Sequence, residues 1–153
     1  MNAVELFLLG RTLMKIGEAA LPTEGIGKHT TSVRTVMIVA GDVRQNPGSA
    51  VGEIAARTGL PQSAVSASVA RLRTAGAVVT EPDPADRRRM LVNPAAAASE
   101  RVEEVRAATV DTALATALDT DDPERIAALV ATLESLAAEL TPQVLGRLRA
   151  ATD

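Results

Sequence analysis

At 153 residues with 46% hydrophobic side chains, this chain can bury one ordinary core, and its composition carries no sign of disorder. Zero cysteines exclude disulfides, thiol redox sensing and zinc sites of the Cys type, and a single histidine, His29, excludes a dedicated His-rich metal site. The net charge of −3 argues at first against a polyanionic partner.

The first segment, MNAVELFLLGRTLMKIGEAALP, is apolar. Glu5 comes early, Arg11, Lys15 and Glu18 recur, and no basic residue precedes the apolar run, so neither a signal peptide nor a membrane span is expected. Leu6, Leu9, Leu13, Ile16 and Ala20 form one helical stripe, and Val4, Phe7 and Leu8 widen it beyond what a surface helix needs. A second helix follows, capped by Thr31 or Ser32, with Val33, Val36, Met37, Ala40 and Val43 toward the core and Asn46-Pro47-Gly48 at its end. Val51, Ile54 and Ala55 mark a third helix. Gly59 supplies the sharp turn after it, and Val65, Val69 and Leu72 mark a fourth helix at i, i+4, i+7 spacing.

After Gly76 the period changes. Ala77 to Thr80, a Pro82-Asp83-Pro84 turn and Met90-Leu91-Val92 suit a β-hairpin. Asn93-Pro94 reads as an N-cap and first-turn pair opening a long helix that carries Val102, Val105, Thr109 and Leu114. Asp122-Pro123-Glu124 opens another, with Ile126, Leu129, Val130, Leu133, Ala137 and Leu140 inside. Thr141-Pro142 breaks it before a last turn or two bearing Val144, Leu145 and Leu148. No linker-like run or repeat separates these pieces, and the N- and C-terminal helices are expected to pack together.

Helix, tight turn, helix and a β-ribbon tipped with arginines make a DNA-docking shape. The charge distribution agrees. Between Arg57 and Asn93, six arginines (Arg57, Arg71, Arg73, Arg87, Arg88 and Arg89) face three acids (Glu81, Asp83 and Asp86), a local +3 that leaves −6 for the remainder. A nucleic-acid footprint is a local basic patch rather than a basic total, and an acidic remainder would turn the wing toward DNA.

These residues resemble the MarR family of winged helix-turn-helix transcriptional regulators. The likeness lies in Glu53-Ile54-Ala55 before Gly59-Leu60, in Ser63, Val65-Ser66, Val69, Arg71-Leu72 and Ala75-Gly76, and in the wing run Asp83-Pro84-Ala85-Asp86-Arg87-Arg88. A helix-turn-helix pattern alone is weakly specific, but one followed at the right distance by Asp-Arg-Arg is much stronger. The chain departs from the family at Pro61, where a Ser or Thr cap is common, and at Ser68, where a larger apolar residue is usual. Ser68 either sits at the edge of the core with its hydroxyl on a carbonyl one turn back, or widens the groove-facing surface.

The resemblance implies a mainly α fold with a small β-wing. Residues 1–153 would be a single MarR-like domain, with a winged helix-turn-helix lobe over 30–93 and helical dimerisation regions over 1–21 and 94–150. It further implies a homodimer that binds palindromic double-stranded DNA, as a repressor that releases it when a small-molecule effector binds; the alternative to the dimer is that the apolar surface of the terminal helices is buried within the monomer, and a cytoplasmic location is expected from the absence of cysteine and of a signal peptide. Two recognition helices would then lie about 34 Å apart, one turn of DNA. With Phe7 the only aromatic residue, an effector pocket would be aliphatic, and its residues are not readable.

The recognition helix would present Gln62, Ser63, Ser66, Ala67 and Ala70, none of them charged. Gln62 could bridge adenine N6 and N7, the serines could bond base edges or phosphate, and Ala67 could meet a thymine methyl. Arg71 and Arg73 suit phosphate contacts, or else are solvated helix-end charges. In the family, the arginine two places after the wing aspartate enters the minor groove. Here that is Arg88, whose fork Asp86 would hold through two hydrogen bonds, with Arg87 and Arg89 on phosphate. Read alone, the tip would be a solvated hairpin with an incidental ion pair.

No catalytic, cofactor or metal site is expected. The chain lacks Cys, has one His, and has no Gly-rich phosphate loop after a strand, while Glu103-Glu104 and Asp121-Asp122 are explained by solvation or helix-dipole pairing. The alternative function is a winged-helix protein-interaction module that does not bind DNA, which the uncharged reading face favours.

Overall fold

The computed structural model describes residues 1–22, 32–141, 144, 147, 148 and 151; His29, Thr31, Pro142 and Leu145, named above, lie outside them. The fold is mainly helical with a three-stranded antiparallel sheet, and the chain divides into two units, Met1–Leu21 with Ala108–Asp153 and Pro22–Ala107.

In the first unit, helix α1 (Ala3–Ala20) begins with a reciprocal cap. Asn2 Oδ1 accepts from the Glu5 amide at 2.9 Å, and Glu5 Oε2 accepts from the Asn2 amide at 2.8 Å. The helix packs on α6 (Asp111–Leu118), which packs on α7 (Pro123–Glu139). Asp122 opens α7, accepting from the amides of Glu124 and Arg125 at 3.0 and 3.3 Å with Pro123 in the first turn. Leu114 and Ile126 are buried here, whereas α1 buries no residue at all and leaves Leu6, Phe7 and Leu8 59%, 73% and 51% exposed.

The second unit is built around α2 (Val33–Gln45), α3 (Val51–Thr58) and α4 (Gln62–Thr74). Ser32 caps α2, its hydroxyl accepting from the Thr35 amide at 3.2 Å. Val36, Val39 and Val43 of α2, Ile54 and Ala55 of α3, Val65, Val69 and Leu72 of α4, and Val78 and Val92 of the sheet share one core. Ile54 and Val65 are fully enclosed; burying an aliphatic side chain of this size stabilises a fold by about 1.5–3 kcal/mol. Gly59, at φ 71°, ends α3 in the left-handed conformation that the tight turn requires, its amide donating to the Ala55 carbonyl at 2.8 Å.

The expected hairpin forms from β2 (Val78–Pro82) and β3 (Met90–Pro94), with Val78 opposite Pro94 and Pro82 opposite Met90. A third strand, β1 (Ser49–Ala50), pairs with β3 and makes it the central strand. This corrects the reading of Asn93-Pro94 as a helix start. Asn93 pairs with Val79 and its side-chain amide donates to Glu81 Oε1 at 2.7 Å, while the Ala95 amide donates back to Ala77. The next helix, α5 (Glu100–Ala107), starts after Ser99, whose hydroxyl accepts from Val102 and donates to the Ala75 carbonyl. It stops before Thr109, so the one long helix expected there is two short ones, and α5 groups with the winged unit. Among the described residues no helix is long and apolar enough to cross a membrane.

Candidate nucleic-acid interface

Helix α4 is two-sided. Val65, Ser68, Val69 and Leu72 are buried against α2 and α3, whereas Gln62, Ser63, Ser66 and Ala70 are exposed and Ala67 is half-buried. Ser68 is completely enclosed, and its hydroxyl donates to the Ala64 carbonyl one turn back at 2.8 Å. That satisfies its polar atom inside the core and leaves it no part in the outer surface. Pro61 precedes the helix in an extended conformation and supplies no side-chain cap. At the far end Arg71 is half-buried and Arg73 exposed.

The wing tip, residues 83–89, is shaped by its aspartates. Asp83 Oδ1 accepts from the Ala85 amide at 2.8 Å and Asp86 Oδ1 from the Arg88 amide at 3.0 Å, two successive side-chain turns of the kind that Asp makes with the amide two residues on. The Asp83 amide donates to the Arg89 carbonyl at 2.8 Å, and the Arg89 amide to the Asp86 carbonyl at 2.9 Å. Asp86 therefore holds the backbone of Arg88 and not its guanidinium, a correction to the expected fork.

Two of the six arginines counted in the sequence are already engaged by acids that lie outside that stretch. Arg57 binds Asp42 through Nε at 2.9 Å and Nη2 at 2.6 Å, and Nη2 also donates to Ser49 Oγ at 2.7 Å. This pairing raises the Arg57 pKa and ties the end of α2 to β1 and α3. Arg89 binds Glu53 Oε1 through Nη2, with its Nε 3.8 Å from Asp83 Oδ2. The Glu53 carboxyl is held below its ordinary value, first by the bond its other oxygen accepts from the Ala50 amide at 2.8 Å and then by Arg89, whose own pKa is raised by the pair. Among the described residues, Arg73, Arg87 and Arg88 form no ion pair.

The site is thus an uncharged outer face on α4 and a hairpin tip that extends Arg87 and Arg88 into solvent. Sequence reasoning missed Asp42 and Glu53. They pair across separations of 15 and 36 residues, which no local spacing reports, although Glu53 stands at the third helical position where a capping glutamate is common.

A sequence profile described as the MarR family matches residues 39–89, from the middle of α2 to the end of the wing tip. An uncharacterized HTH-type transcriptional regulator, YcgE of Bacillus subtilis (strain 168), is 32% identical over 106 residues, which cover 68% of this chain and 64% of YcgE. The alignment thus spans a little under two thirds of that relative's length. In fold, the chain is similar to transcriptional regulator Tm0710 of Thermotoga maritima, at 18% identity and a TM-score of 0.56 over 97% of this chain and 99% of that one. It is also similar to the PcaV transcriptional regulator of Streptomyces coelicolor, solved with its natural ligand, at 20% identity and a TM-score of 0.50 over 85% and 89%.

Proposed function

We propose that the chain is a MarR-family DNA-binding transcription regulator, a ligand-responsive repressor that binds palindromic operator DNA as a homodimer. Helix α4 would lie in the major groove, with Gln62, Ser63, Ser66 and Ala67 at base edges and Arg71 and Arg73 toward phosphate. The wing would reach the minor groove through Arg88, with Arg87 on phosphate and Asp86 fixing the turn between them. The observation that carries this reading is the wing tip. Two turn-forming aspartates shape a loop whose two exposed guanidinium groups have no carboxylate partner among the described residues, an arrangement that costs self-repulsion unless a polyanion meets it.

The homodimer is supported by the apolar residues that the first unit leaves uncovered. Leu6, Phe7 and Leu8 on α1, Leu136 on α7 and Leu140 at its C-cap are more surface than one small unit ordinarily exposes. An effector belongs to the proposal because PcaV, which shares the fold, is solved with a ligand. The test is selection from a randomised duplex pool, followed by titration of the selected and a scrambled duplex across a salt series. Tight, salt-dependent and selective binding supports the regulator. The uncharged face of α4 favours a second reading, a winged-helix protein-interaction module, and salt-insensitive failure to bind any duplex supports that one.

A further inference from the structure

The Arg89–Glu53 pair does a different job from the neighbouring arginines. Glu53 sits in the first turn of α3, and both its oxygens are engaged, Oε2 by the Ala50 amide and Oε1 by Arg89 Nη2. Its rotamer is therefore fixed by the helix it caps. Arg89 closes the loop with its backbone, through the Asp83 amide on its carbonyl, and reaches α3 with its side chain. Among the described residues, this is the ion pair that joins the wing tip to a helix. One position earlier, a Cβ on Gly52 would stand 3.5 Å from Gln62 Nε2, so the Gln62 side chain at the start of α4 lies beside the same turn of α3.

We propose that Glu53 and Arg89 are a positioning pair that fixes the wing relative to the recognition helix, and that Arg89, unlike Arg87, makes no phosphate contact. The proposal rests on the reading that α4 and the wing grip one duplex. Its physical basis is that moving Arg89 onto a phosphate would leave the Glu53 carboxylate unpaired and facing a polyanion. Arg87 and Arg88 abandon no partner when they bind. The pair is also half-open, with side-chain exposures of 41% and 47%, so it can be cut without disturbing the core.

Arg89→Ala, Glu53→Gln, the double variant and Arg87→Ala separate the possibilities, because glutamine keeps an acceptor for the Ala50 amide while removing the charge. Without DNA, hydrogen exchange at the Asp83 and Arg89 amides should rise at least about threefold in each of the first two variants and no further in the double, as one shared contact requires. With DNA, both should lower the ratio of affinities for the selected over the random duplex by at least about threefold, whereas Arg87→Ala should weaken both duplexes alike. Arg89→Lys should recover most of the ratio. If Glu53→Gln tightens binding to the selected duplex while Arg89→Ala weakens it, Arg89 is a phosphate contact and the proposal falls. Unchanged exchange in both variants overturns it as well. Should the wild-type protein bind no duplex while the exchange effect stands, the tether survives and the regulator reading fails.

Discussion

The sharpest test of the interface is a pair of substitutions at Asp86 set beside Arg88→Ala. In the structure the Asp86 side chain makes one bond, its Oδ1 accepting from the Arg88 amide at 3.0 Å, at an exposed tip. Such a bond contributes about 0.5–1.5 kcal/mol. Asp86→Ala removes it and lets the tip sample other turns, so each wing should lose about 1 kcal/mol of operator affinity, roughly fivefold. Arg88→Ala removes the minor-groove contact itself and should cost about 1–3 kcal/mol per wing. Both figures double for a dimer in which both wings change. Asp86→Asn retains the Oδ1 acceptor and deletes a negative charge that would face phosphate, so it should bind as tightly as wild type or tighter, most visibly at low salt. The assay is fluorescence anisotropy against a selected duplex at several salt concentrations, with melting curves to show that the fold is intact. If Asp86→Asn weakens binding as much as Asp86→Ala does, the carboxylate acts by its charge on the guanidinium and the turn argument is wrong. If Arg88→Ala changes nothing, the wing is not in the groove.

Sedimentation at micromolar concentration should give about twice 15.8 kDa, and a well-folded monomer would remove both the dimer and the palindrome. Ile54→Ala, at a fully enclosed position, should lower the unfolding free energy by about 2–5 kcal/mol in denaturant titrations. Ser68→Ala should stay within about 1 kcal/mol, because the Ala64 carbonyl keeps its helical amide partner when the hydroxyl is lost. The folded Glu53 carboxyl titrates below its ordinary 4.5, so its contribution to stability is complete above that pH and is lost as pH falls through the lower folded value. An NMR titration of the side-chain carboxyl should show that depressed midpoint, moving partly back toward 4.5 in Arg89→Ala while the Ala50 bond holds the rest. Mild peroxide should leave duplex affinity unchanged, since the chain has no cysteine; loss of binding reversed by a thiol reductant would contradict this.

The helix-turn-helix was legible because each of its parts has a local signature. Val65, Val69 and Leu72 keep one helical phase, Gly59 is needed where φ is positive, and the hairpin changes the period. Where the signature was degenerate, the sequence misled. In α2, Val33, Val36, Met37, Ile38 and Val39 are all apolar, so more than one phase fits. The core took Val36, Val39 and Val43, with Val39 fully enclosed and Met37 only half-buried. Asn93-Pro94 fits a helix start as well as a strand end. What decides is β2, whose Val79 and Val78 pair with Asn93 and Pro94, while the two-residue strand Ser49–Ala50, too short to announce itself, pairs with Val92 and Leu91 and makes β3 central.

At the interface the sequence located the arginines but not their obligations. A window from Arg57 to Asn93 treats six guanidinium groups as one basic patch. The fold brings Asp42 to Arg57 and Glu53 to Arg89, and these contacts make two charges of that patch struts between α2, α3, β1 and the wing. Charge arithmetic along a chain cannot detect this, because the acids come from elements that only the packing of α2 and α3 brings close. The consequence is a more polarised interface than the composition suggests. On the proposed reading, base reading would fall to the uncharged side chains of α4, and of the six arginines Arg73, Arg87 and Arg88 are exposed and form no ion pair among the described residues. An interface arranged that way would draw much of its selectivity from the shape and width of the minor groove, where a positioned guanidinium is most sensitive to sequence. Loss of wing geometry should therefore erode selectivity before it erodes binding.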